Sequence, residues 1–131
     1  MNIGVFFKHK ETGGGIYQYL VSLLTALARP EGENRIHLFY RWEMPPLPEP
    51  AKSLVTPVKL SPAAPPIDRF PDHSMDPCRV LWNGKIVRFK AQPLTQELRT
   101  ESIRNGIELM LYPTPEREAF ETGIPYIMAV H

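Results

Sequence analysis

The first forty residues alternate between apolar and amphipathic stretches. Ile3 to Phe7 is almost entirely apolar, which is typical of a parallel strand covered on both faces. From Ile16 to Leu27, apolar residues recur at helical spacing, and a segment containing proline, glycine and asparagine then ends the helix. Arg35 to Tyr40 predicts a second strand. The three segments form a β-α-β unit, whose crossover is expected to be right-handed.

A proline-rich stretch interrupts this alternation. Ten of the fifteen prolines lie between residues 45 and 77, so this stretch cannot be a long helix or a central strand. Leu54 to Leu60 predicts a short strand, which Pro57 limits to a sheet edge or a bulge. The remainder of residues 44–77 is expected to be a long surface loop. Loops of this length are either functional or disordered, and the sequence leaves both open.

Apolar patterning resumes after residue 79. Val80 to Phe89 fits either a hairpin, with its turn at Asn83 and Gly84, or a helix. The later segments predict a helix over Leu94 to Asn105, a strand over Ile107 to Tyr112, a loop over Pro113 to Gly123 and a final buried strand over Tyr126 to Val130. The repeated units predict one α/β domain over residues 1–131, with an open, mostly parallel sheet and flanking helices.

Composition narrows the functional classes. The 131 residues carry a net charge of +1, which gives no electrostatic case for nucleic acid. A single cysteine excludes an internal disulfide and fits a reducing compartment. Without a secretory signal or an apolar stretch of membrane-spanning length, we expect a cytoplasmic protein. Basic and aromatic residues interleave near the predicted hairpin and predict a solvated face, although contact with a membrane surface or an anionic substrate stays open: Arg79, Trp82, Lys85, Arg88, Phe89 and Lys90.

The first candidate site is the glycine loop between the first strand and helix. Gly13, Gly14 and Gly15 let backbone approach a ligand closely and leave helix N–H groups free for a phosphate. Lys8, His9 and Lys10 precede the loop and add positive charge and donors. The spacing matches neither G-x-G-x-x-G nor a P-loop. Phosphate binding and a tight turn that binds nothing both remain open.

The second candidate is His131, at the carboxyl end of the last predicted strand, where open α/β sheets place their ligands. A histidine there can act as a base or as a donor to a substrate hydroxyl, although an ordinary exposed histidine fits equally. Tyr112 and Thr114 reach the same edge and could line the same crevice. Three following glutamates are expected to form a solvated face: Glu116, Glu118 and Glu121. No histidine has metal-ligand spacing, so we predict no metal.

Together these segments resemble the N-terminal half of the family 4 glycosyltransferases, also called group 1 glycosyltransferases, which have the GT-B fold. The resemblance rests on three motifs in the family's order: Ile3 to Phe7, the run Thr12-Gly-Gly-Gly-Ile-Tyr-Gln-Tyr, and the couplet Gly106-Ile-Glu-Leu-Met-Leu-Tyr-Pro with Gly123-Ile-Pro-Tyr-Ile-Met-Ala-Val-His. It covers nearly the whole chain, with gaps in the proline-rich middle.

The resemblance implies a Rossmann-like acceptor-side domain that closes with a donor-binding domain on a nucleotide-sugar. Gly13, Gly14 and Gly15 would then approach the donor phosphates, and His131 would match the histidine of the family's His-Asp pair near the reacting sugar. The nucleotide-sugar is a co-substrate, so no cofactor is implied. The donor-binding domain and the Asp of that pair are absent from this sequence, which indicates a truncated chain, inactive alone. A stand-alone phosphate-binding module, or a module that pairs with a partner carrying the missing half, is the alternative.

Overall fold

The structure, a computed structural model, describes residues 1–10, 14–29, 32–61, 78–82, 84–89 and 93–129. The elements are β1 (Asn2–Phe7), α1 (Gly14–Leu27), β2 (Arg35–Tyr40), α2 (Ala51–Leu54), β3 (Val55–Lys59), β4 (Cys78–Trp82), β5 (Lys85–Phe89), α3 (Pro93–Arg104), β6 (Leu109–Tyr112), α4 (Glu118–Glu121) and β7 (Tyr126–Met128). Among the described helices, none is long and apolar enough to cross a membrane.

Five strands form one parallel sheet in the order β3-β2-β1-β6-β7. Counted along the sheet's own strands, this is the order 3-2-1-4-5 of a Rossmann-like α/β fold. The predicted open α/β sheet with flanking helices is therefore confirmed. Pro57 lies in β3, an edge strand of this sheet, as the missing proline N–H requires.

The ambiguous segment after residue 79 is a hairpin. β4 and β5 pair antiparallel as a separate two-stranded sheet, and Gly84 in the connecting turn has φ of +75°. A left-handed backbone at this position suits glycine and explains why the hairpin alternative is the right one. The predicted basic and aromatic face of this segment falls on side chains outside the described part of the structure.

The proline-rich segment is described only in part. Its short helix α2 was not predicted, while the predicted strand over residues 54–60 is confirmed as β3. Residues 62–77 lie outside the described residues. The short helix α4 was also missed, because four residues give too little periodicity to be recognised.

Two apolar clusters cover the two faces of the sheet. Ile3, Val5 and Phe7 of β1 pack with α1, which contributes Leu20 and Leu24 to the same cluster. Phe6 belongs to the second cluster, with residues of α3, α4 and β6. β1 is thus buried on both faces, which is why its sequence lacks polar alternation.

The last strand differs from the prediction. The expected buried strand at residues 126–130 is wrong for its first residues, since Tyr126 is 39% exposed and Ile127 60%. β7 is an edge strand of the described sheet and is bonded there to β6 alone. Its apolar composition matches that of a central strand, so composition alone could not reveal its exposed position. Val130 lies outside the described residues.

β1 contains a close approach that only glycine allows. A Cβ on Gly4 would lie 2.7 Å from Met110 Sδ and 3.0 Å from Phe39 Cε2. Both neighbours are fully buried, so neither side chain can move away into solvent. The absence of a side chain at Gly4 lets the second cluster close against β1.

We expect Gly4→Ala to lower the free energy of unfolding by about 1–3 kcal/mol, because the added methyl overpacks the core. Urea denaturation measures this difference. Gly15→Ala is the matched control: its Cβ would meet nothing within 4 Å, so the variant should be unchanged or up to about 1 kcal/mol more stable. Equal stability of Gly4→Ala and the wild type would show that the core is not tight at this point.

His37 in β2 is partly buried, and its surroundings favour the neutral ring. Burial lowers the pKa of His37 below its usual 6.5, and the positive charge of Arg35 acts in the same direction. A backbone interaction with Arg35 opposes this shift without reversing it. The unfolded chain therefore binds a proton at His37 at a higher pH than the folded chain does.

Because the pKa is lower in the folded state, His37 reduces stability as the pH falls through 6.5 and has no such effect well above it. We expect the free energy of unfolding of the wild type, relative to His37→Gln, to decrease as the pH is lowered through that value. Chemical denaturation of both proteins at several pH values and constant ionic strength tests this. Parallel pH profiles would contradict the account.

Candidate functional site

The topology singles out the carboxyl ends of β1 and β6. From β1 the chain builds outward through β2 to β3, and it later returns to the other side of β1 to form β6 and β7. The connections therefore leave β1 and β6 in opposite directions, which makes the carboxyl ends of these two strands the topological switch point of the sheet. Ligands of open α/β sheets bind at such a switch point.

Four polar side chains meet at this switch point, and we call them the switch-point cluster: Lys8, His9, Thr114 and Glu116. Lys8 Nζ lies 2.5 Å from Glu116 Oε2. The Thr114 hydroxyl donates to Glu116 Oε1 at 2.6 Å. His9 Nε2 lies 3.3 Å from Thr114 Oγ1 and 4.0 Å from Glu116 Oε1. The cluster joins the segment after β1 to the segment after β6, more than 100 residues apart in the chain.

The hydrogen bonds order the cluster. Since the Thr114 hydroxyl gives its proton to Glu116, its oxygen is left to accept a hydrogen bond. His9 donates that bond in the tautomer protonated at Nε2. The Glu116 side chain is only 4% exposed, whereas those of His9 and Lys8 are 33% and 42% exposed. Glu116 therefore forms the buried base of the cluster, and Lys8 and His9 form its accessible rim.

The prediction of a solvated glutamate face is wrong. Glu116, Glu118 and Glu121 are 6%, 9% and 2% exposed. Glu116 is paired with Lys8, and Glu121 is paired with Arg117 one helical turn away. A buried carboxylate needs such partners, and the partner of Glu116 comes from a distant part of the chain.

Arg41, directly after β2, is a buried cation that was not predicted as a site residue. Its side chain is 5% exposed, donates from Nη1 to the Ser61 carbonyl at 3.2 Å and lies 3.9 Å from Glu97 Oε1. Its guanidinium also stands over the Phe6 ring, 5.3 Å from the centroid. Burial lowers the pKa of Arg41, and the charges of three glutamates oppose the shift: Glu118, Glu97 and Glu116. Its place after a strand is the one sequence signal that could have identified it.

The glycine loop is described from its second glycine onward. Gly14 begins α1 with φ of +85°, and both Gly14 and Gly15 are exposed with open space where a side chain would be. The first N–H groups of a helix have no partner within the helix, so this turn can donate to an anion. Gly13 and the predicted catalytic His131 lie outside the described residues, and their roles stay predictions.

Two other predicted lining residues lie elsewhere. Tyr112 is 1% exposed and packs edge-on against Phe6 and Tyr126, with centroids 5.8 and 6.1 Å away, and burial raises its pKa. It is a core residue. Lys10 places its Nζ 5.2 Å from the centroid of the Trp42 ring, on the β2 side of β1. The structure thus brings Lys8, His9 and Thr114 together without Lys10 and Tyr112.

Within the described ranges, no group of three or more histidine, cysteine, aspartate or glutamate residues is arranged to hold a metal ion. Comparison of the chain with protein-family models, curated proteins and solved structures gave no significant match.

We expect Glu116→Gln to lower the free energy of unfolding by about 1–3 kcal/mol, because a neutral amide replaces the charge that pairs with Lys8 and accepts from Thr114. Glu101→Gln is the matched control. It removes an exposed ion pair with Arg104, 2.7 Å long, and should change stability by less than about 1 kcal/mol. Urea denaturation of both variants compares the two effects. Equal losses would mean that the switch-point cluster adds nothing beyond a surface ion pair.

Proposed function

We propose that this chain is the acceptor-side domain of a glycosyltransferase and that the switch-point cluster, with the first turn of α1, is its ligand site. The observation that carries the proposal is the contact between Lys8 and Glu116, with His9 and Thr114 beside it, at the switch point of a Rossmann-like sheet. The resemblance of the motifs to family 4 glycosyltransferases supports the same assignment.

The residues of the cluster suit the two needs of sugar transfer. A departing nucleoside diphosphate requires positive charge and N–H donors, which Lys8 and the turn at Gly14 and Gly15 supply. An acceptor hydroxyl must be held in one orientation for attack. With Nε2 bound to Thr114, the Nδ1 atom of His9 is the ring nitrogen left to accept a hydrogen bond from that hydroxyl.

Glu116 acts through its neighbours in this proposal. Its carboxylate is buried and is already bonded to Lys8 and Thr114, so it positions the rim of the site rather than contacting a sugar. His131 remains the proposed catalytic residue by resemblance. Completion of the reaction requires a donor-binding domain, and we expect the 131 residues alone to transfer no sugar.

The second candidate is a stand-alone module that binds a phosphate ligand. The open turn at Gly14 and Gly15 and the cation Lys8 favour it, since these groups suffice for an anion without any sugar chemistry. Both candidates predict binding of a nucleoside diphosphate. They differ in that the glycosyltransferase domain should also recognise a sugar acceptor.

Calorimetric titration with UDP and with UDP-glucose tests the site. We expect saturable binding that Lys8→Gln weakens by about fivefold or more, because a charge-assisted contact to phosphate is lost. Lys52→Gln is the control. Lys52 is exposed and lies in α2, directly before β3, so it is near the amino ends of the strands and away from the switch-point cluster. Its loss should leave binding unchanged. No binding up to about 10 mM UDP, or equal binding by Lys8→Gln, would contradict the proposed site.

A further inference from the structure

A cavity lies at the carboxyl ends of β1, β2 and β3, on the side of β1 away from β6. Its volume is about 300 Å³, and five residues line it: Lys10, Arg41, Trp42, Glu43 and Lys59. We call it the Trp42 pocket. Its size lies at the lower end of the range for small-molecule sites, so it suits a ligand of one ring and one charged group.

Strand register explains why these residues converge. Phe7 of β1 pairs with Tyr40 of β2, and Tyr40 pairs with Lys59 of β3, so three adjacent strands end in one row. Lys10 follows the first strand, Arg41 to Glu43 follow the second, and Lys59 is the last residue of the third. Neighbouring strands are about 4.8 Å apart, so the row spans about 10 Å.

The pocket has an excess of positive charge. Its lining has three cations and one carboxylate, Glu43. Arg41 is held rigidly in the wall by Ser61 and Glu97. Lys10 and Lys59 are both exposed, and within the described part of the chain neither Nζ has a carboxylate within 4.0 Å. These two ammonium groups are available to an anion.

Trp42 supplies an aromatic surface beside these cations. It is 38% exposed, although a large aromatic side chain favours burial. Lys10 lies over its ring at 5.2 Å, which links the aromatic surface to the charged part of the pocket. A flat or apolar ring that stacked on Trp42 would bring a phosphate on that ring close to Lys10 and Lys59.

We propose that the Trp42 pocket binds a small phosphomonoester whose ring contacts Trp42 and whose phosphate lies between Lys10 and Lys59. Phosphate suits the site because it carries close to two negative charges and three acceptor oxygens, enough for both ammonium groups at once. Arg41 adds a fixed positive charge behind the pocket and keeps its position without the ligand. This site requires nothing of the proposed sugar transfer.

Phenyl phosphate is the test probe. Phenol carries its ring alone and inorganic phosphate its phosphate alone, so these two halves are the comparison ligands. The readout is the indole N–H resonance of Trp42 in a ¹⁵N-labelled sample, identified by its absence from Trp42→Phe. We expect phenyl phosphate to shift this resonance saturably and to bind about tenfold more tightly than either half. No shift, or equal affinity for phenol, would overturn the proposal.

Matched charge variants locate the phosphate. Lys59→Gln should weaken phenyl phosphate binding about fivefold or more, whereas Lys52→Gln, in α2 before β3, should leave it unchanged. Equal weakening by both would indicate a general charge effect and overturn the site.

Lys8→Gln should retain the Trp42 shift, which separates this pocket from the switch-point cluster. Loss of the shift in Lys8→Gln would show that the two are one site and overturn the second pocket.

Discussion

Parallel pairing of β1 with β2 on one side and β6 on the other is the constraint on which the rest of the structure depends. It makes β1 the central strand, buries it on both faces and brings the carboxyl ends of the strands to one edge. On the β6 side that edge forms the switch-point cluster, and on the β2 side the Trp42 pocket. The absence of a side chain at Gly4 keeps this pairing close, since Met110 and Phe39 occupy the space.

Several charged side chains are buried, although most of the charged residues that the structure describes are exposed. Arg41, Glu116 and Glu121 are each less than 7% exposed, and all three are partnered. Compared with apolar residues packed in the same space, buried ion pairs add little net stability, because the loss of hydration offsets most of their attraction. The placement of Arg41 and Glu116 just after strands, at the edge where α/β sheets bind ligands, is therefore better explained by a site than by the needs of the fold.

The sequence predicts the fold well where local pattern decides it. The apolar run from Ile3 to Phe7 identifies β1, the mainly apolar stretch from Arg35 to Tyr40 identifies β2, and Pro57 limits β3 to an edge or a bulge. The site is predicted in part: Lys8, His9 and Thr114 do meet. The burial of Glu116 could not be predicted, because its partner Lys8 is about a hundred residues away and only the β1–β6 pairing brings them together. The exposure of Ile127 likewise depends on its sheet neighbours rather than on its own sequence.

A crystal structure of the chain soaked with UDP tests the central claim, that the switch point is the ligand site, most directly. The account predicts density for the diphosphate beside Lys8 and the first turn of α1, with His9 still bonded to Thr114. A nucleotide bound only elsewhere, for example at the amino ends of the strands or in the Trp42 pocket, would contradict it.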